Sequence, residues 1–105
     1  MSFLVHHILD NSGNKRGTLF AQGPLSPMEV TYQVGWAMCN KKDNFDKKAG
    51  VALARSRAET YEQRMRVKKT PKFVLDALPL FLSRCDKYFK GKHRPAWCWE
   101  FYGEG

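Results

Sequence analysis

Three cysteines, three histidines and ten acids are the side chains of this 105-residue chain that could act as nucleophiles, metal ligands or proton carriers. A zinc site would draw on Cys39, Cys85, Cys98 and His93. No C-x-x-C knuckle joins them, and the thiols fall at a strand end, mid-helix and mid-strand in the elements read below. Each is accounted for as a small apolar residue. A thiol nucleophile would need a histidine partner that only the folded geometry could bring to it. Asp43 and Asp46 read as residues of a helix start, where carboxylates meet exposed backbone N–H groups. Neither a glycine-rich phosphate loop nor a hydrolase elbow occurs. No catalytic residue, metal or cofactor is therefore expected, and the pattern points to a binding protein.

The positive signal is charge. The chain carries a formal +8. Between Lys41 and Lys72, eleven Lys or Arg stand against four acids, giving +7, whereas the remainder holds seven bases against six acids. One basic segment on a nearly neutral chain is the outline expected for contact with nucleic acid or with an acidic protein face. The bland alternative is a soluble helix with a lysine-rich solvent side. The candidate contact residues are Lys41, Lys42, Lys47, Lys48, Arg55, Arg57, Lys68, Lys69 and Lys72. A second candidate is the loop Lys90 to Arg94 leading to Trp97, Trp99 and Phe101, a cationic approach to a base-stacking platform. The competing reading, that those aromatics fill the core beneath the helices, is preferred because a small sheet needs a buried face.

The elements that would position these residues follow from period and punctuation. Phe3 to Asp10 is rich in β-branched and aromatic residues and ends at Asn11-Ser12-Gly13-Asn14, a turn cluster. Thr18 to Gln22 returns as the second strand of a hairpin and stops at Gly23-Pro24. His6 and His7 are neighbours in a strand, so their rings face opposite ways. Val30, Tyr32, Val34, Trp36 and Met38 alternate with Thr31, Gln33, Gly35 and Ala37, which predicts a third strand. Gly35 marks either a bulge or a close backbone approach.

After Cys39 the period becomes helical, with a start expected within Lys41 to Asn44. That helix shows two apolar faces, one with Phe45, Ala49, Ala52 and Leu53, the other with Ala54, Ala58, Tyr61 and Met65. One helix running to Lys69 is favoured over a break. Thr70-Pro71 starts a second helix, apolar around most of its circumference and expected to be largely buried. Pro79 is expected to kink or restart it, and Lys90-Gly91 to stop it. Ala96 to Tyr102 reads as a final strand. The order β-β-β-α-α-β predicts an α+β domain over residues 1–105, with two helices packed on one face of a small antiparallel sheet.

At this length the chain buries roughly 65% of its unfolded surface, enough to stand without disulfides or metal. An odd cysteine count with no close pair predicts free thiols in a reducing compartment. No secretory leader pattern is present, and no run approaches the length of a membrane span.

The stretch Val34 to Gly50, with Ala54 and Arg57, resembles a pattern in small accessory proteins of tailed bacteriophages: an aromatic strand ending in Cys, then Lys-Asp, a Phe, paired Lys, Gly, and an Ala with a later Arg. The resemblance implies a protein acting in the cytoplasm of a bacterial host and binding nucleic acid or a host protein. It carries no established chemistry.

Overall fold

The computed structural model describes residues 2–10, 12–24, 26–39, 46–59 and 72–95. Three strands form one antiparallel sheet in sequential order: β1 (Phe3–Leu9), β2 (Lys15–Gln22) and β3 (Gln33–Met38). Two helices follow, α1 (Lys47–Glu59) and α2 (Lys72–Tyr88). The α+β class expected from the sequence is thus present. The final strand expected over 96–102 lies outside the described residues, as do the expected helix start at 41–44, the helix continuation beyond Glu59 and the Thr70-Pro71 cap.

The β1–β2 turn is held by the Asp10 side chain. Its Oδ1 accepts from the backbone N–H groups of Ser12 (2.9 Å) and Asn14 (3.0 Å), and Gly13 takes φ +82°, a left-handed value that glycine adopts without strain. Pairing runs in regular register from Phe3↔Gln22 to Ile8↔Gly17 and then slips, because Leu9 opposes Lys15 and leaves Arg16 as the extra residue of a β-bulge. β2 begins three residues before the expected Thr18 because the hairpin pairing continues through this bulge. β3 begins at Gln33 rather than Val30. Ahead of it, Thr31 makes a parallel bridge to His93, with Tyr32 N donating to His93 O (3.0 Å) and His93 N to Val30 O (2.7 Å).

The helices cover opposite faces of the sheet, which corrects the expectation that both pack on one. The face bearing Leu4, Ile8, Leu19, Ala21, Val34 and Trp36 meets α2 through Val74, Leu78, Phe81, Leu82 and Cys85. The other face, with Val5, Phe20 and Ala37, meets α1 through Val51, Ala54 and Ala58. Both sides of β2 and β3 are apolar enough to be covered, and the alternation that marked one buried face concealed a second made of small residues. His6 and His7 point to opposite faces as expected, His6 toward the Phe81 ring (centroids 6.4 Å apart) and His7 toward Thr18.

Small residues set how closely α1 lies. A Cβ on Gly35 would run into the carbonyl oxygen of Ala54 and stand 2.7 Å from the backbone N of Ala58. Gly35 is therefore a close-approach glycine and not a bulge. A Cβ on Gly50 would stand 2.6 Å from the Thr18 hydroxyl, so the first turn of α1 is seated on β2. Asp46 caps this helix, its Oδ1 accepting from the N–H groups of Lys48 (2.9 Å) and Ala49 (3.2 Å). Of the two apolar faces read on α1, the one with Ala54 and Ala58 meets the sheet, while Ala49, Ala52 and Leu53 are exposed.

α2 is one-sided, contrary to the expectation of a largely buried helix: Val74, Leu78, Phe81, Leu82 and Cys85 are buried, while Leu80 is 72% exposed. It runs unbroken through Pro79, which lies on the exposed side, so no restart occurs there. Gly91, at φ +80°, turns the chain away past the helix end as expected. The following loop is tied back by Asp86. Tyr32 Oη donates to Asp86 Oδ1 (2.8 Å), and Arg94 donates from Nε and Nη2 to Oδ2 (3.1 and 2.8 Å).

Candidate functional site

The basic residues expected to form one surface are sorted by the fold into three groups. Lys47, Lys48 and Arg55 stand together on the exposed side of α1, because spacings of seven and eight residues return to one face of a helix. They line an open groove of about 560 Å³ whose described walls also include the apolar side chains of Val51 and Ala52. Arg57 belongs elsewhere: it is 9% exposed, faces the sheet, and donates from Nη1 to the carbonyl oxygen of Trp36 at 3.1 Å. The sequence counted its charge toward a binding surface, but the 54–57–58 face of α1 is the one pressed on β3. Lys72 is exposed but opens α2, the helix on the other face of the sheet. Lys41, Lys42, Lys68 and Lys69 lie outside the described residues.

Electrostatics at the groove's far end are fixed by a hydrogen-bonded relay. Arg55 Nε donates to Glu59 Oε1 (3.1 Å), the same oxygen accepts from buried Gln22 Nε2 (3.0 Å), and that amide also donates to Gln33 Oε1 (2.9 Å). Gln22, followed by Arg55, holds the Glu59 carboxyl below its ordinary range. The relay ties the last turn of α1 to the ends of β2 and β3, which orients Arg55 along the groove. An exposed ion pair of this kind contributes roughly 0.3–0.5 kcal/mol, so Arg55 can exchange Glu59 for a competing anion.

Next to Lys47, outside the groove's described lining, stands a cation that the sequence does not single out. Lys15 sits beside Lys47, and His7 lies close enough to both for their charges to matter. Burial, then Lys15 and Lys47, lower the pKa of His7 and so favour the neutral imidazole, which shares a 3.2 Å hydrogen bond through Nδ1 with the Thr18 hydroxyl. No sequence signal marks Lys15, since its facing depends on the bulge at Arg16.

Of the two described cysteines, Cys85 is not poised as a nucleophile. Cys85 is buried under α2, and that burial pushes its thiol up to about 12, leaving it protonated at neutral pH. Cys39 is half-buried at the end of β3, its backbone N–H donating to Arg16 O (2.7 Å). Among the described residues there is no group of three His, Cys, Asp or Glu side chains able to hold a metal ion, and no helix is long and apolar enough to cross a membrane. Compared with family models, curated proteins and solved structures, the chain matches none of them.

Proposed function

We propose that this is a non-enzymatic nucleic-acid-binding protein whose contact surface is the exposed side of α1. The observation that carries this reading is the convergence of Lys47, Lys48 and Arg55 on one groove, with a single described carboxylate, Glu59, at its end. Such a surface neutralises backbone phosphates: its charges are on flexible stems, Val51 and Ala52 between them are apolar, and the Ser56 hydroxyl is the one neutral polar side chain of the described lining.

Three neutralised phosphates predict a slope of log K against log [salt] of about −2 to −3, shallower for single strands than for duplex. Fluorescence anisotropy with mixed-sequence DNA and RNA across a salt series measures it. Lys48→Ala and Arg55→Ala are each expected to reduce the slope by about 1, with no change in preference among sequences. Absence of salt-sensitive binding at low ionic strength overturns the proposal. Stoichiometric capture of an acidic protein that survives nuclease treatment would assign the same surface to a protein partner instead, since carboxylates and phosphates attract the same side chains.

A further inference from the structure

The hairpin bulge has a consequence for charge. Without it, Lys15 would share the α2 face with Gly17 and Leu19, two and four residues on. With Arg16 inserted as the extra residue, Lys15 opposes Leu9 and is turned to the face that carries His7 and Thr18, where α1 begins. The first turn of α1 is held there by the Gly50–Thr18 contact, which places Lys47, one turn earlier, over the same end of the hairpin. Arg16, by contrast, is directed to Asp10 (3.9 Å), so the bulge separates a paired cation from one that is presented.

We propose that Lys15 and Lys47 form a clamp for a phosphomonoester dianion, the terminal phosphate of a nucleic-acid strand lying in the α1 groove. This rests on the nucleic-acid reading above and adds an end-specific contact to it. Two ammonium groups side by side carry +2 at one point. A backbone phosphodiester carries −1 and leaves one of them unmatched, whereas a phosphomonoester carries about −1.5 to −2 at neutral pH. Among the described residues neither lysine is paired with a carboxylate. The nearby Asp10 and Asp46 are engaged, Asp10 by Arg16 and two backbone N–H groups and Asp46 by the N–H groups of Lys48 and Ala49. Contact with Lys47 also pulls the pKa of Lys15 below its usual value, the mark of two like charges that an anion between them would relieve. His7 forms the back of the site, its position fixed by the bond to Thr18.

The test compares one short labelled oligonucleotide carrying a 5′-phosphate, a 3′-phosphate or hydroxyls at both ends, by anisotropy at fixed salt. A phosphorylated end is expected to bind roughly tenfold tighter than the hydroxyl-ended strand. Lys15→Gln is expected to remove that difference, so that within the variant the phosphorylated strands bind no tighter than the hydroxyl-ended one. Equal affinity for all three strands overturns the clamp while leaving the α1 surface standing. A direct measurement separates the two ideas: phenyl phosphate should shift the backbone amide NMR signals of Thr18 and Lys47 saturably, and dimethyl phosphate should not. If no oligonucleotide binds but phenyl phosphate saturates, the nucleic-acid assignment falls and the dianion site remains. If phenyl phosphate fails to saturate, the clamp falls regardless of what the oligonucleotides do.

Discussion

Replacing Gly35 by alanine tests the contact that seats α1 on the sheet. The added methyl would meet the Ala54 carbonyl oxygen and the Ala58 backbone nitrogen, and also the Ala58 Cβ at 3.0 Å. Two of these three atoms are helix backbone, which cannot swing aside as a long side chain can, so α1 must lift or slide by about an ångström. Overpacking of a well-filled site costs typically 1–3 kcal/mol, and a backbone-limited clash belongs at the upper end. Alanine recovers roughly 0.5–1 kcal/mol because glycine is a poor strand former. The net expectation is a loss of about 2 kcal/mol, seen as a lower urea midpoint with little change in m-value and a Tm drop of roughly 8–16 °C. Adding Ala58→Gly removes only the side-chain part of the clash and should restore less than half of the loss. Wild-type stability in Gly35→Ala, or full rescue by Ala58→Gly, would refute the close approach of α1 to β3.

Arg57→Ala separates burial from binding. The folded variant should keep wild-type affinity and salt slope for nucleic acid, while urea denaturation reports a loss of roughly 1.5–3 kcal/mol for the hydrogen bond to the Trp36 carbonyl and the packing of the side-chain stem. A weakened salt slope with unchanged stability would return Arg57 to the binding surface. Acid should unlock the loop behind α2. Burial pushes the Asp86 carboxyl up, but Arg94 and the Tyr32 hydroxyl together hold it below its ordinary value. A depressed carboxyl contributes stability that is present above its unfolded pKa, near 3.9, and is lost as pH falls through the lower folded value. Asp86→Asn should therefore flatten the pH dependence of the urea midpoint below about pH 4. Tyr32→Phe should cost about 1.5–3 kcal/mol at neutral pH, as for a hydrogen bond to a charged group, and leave that acid dependence only partly reduced, because Arg94 still binds the carboxylate.

Much of the scaffold is legible in the chain because it depends on neighbours in sequence. The turn at Gly13, the opposed His6 and His7 rings, the alternation ending in Trp36 and Met38 and the stop at Gly91 all follow from local backbone preference and period. The extent of burial on α2 is not legible in the chain, because apolar count around a helix does not say how much surface the sheet has to cover. The covered side is the one with Val74, Leu78 and Cys85, and Leu80 is left outside.

Composition and period supply the elements and the charge: a hairpin, a third strand, a strongly apolar second helix and a basic middle segment. The tertiary structure alone decided how that charge is spent. Periodicity offered α1 two apolar faces, and the close fit of Ala54 and Ala58 over Gly35 chose between them, burying Arg57 and leaving Lys47, Lys48 and Arg55 outside. Coverage of both sheet faces put Lys72 on the opposite layer. One extra residue at Arg16 turned Lys15 toward Lys47, a matter of strand register, which pairing partners set and composition does not record.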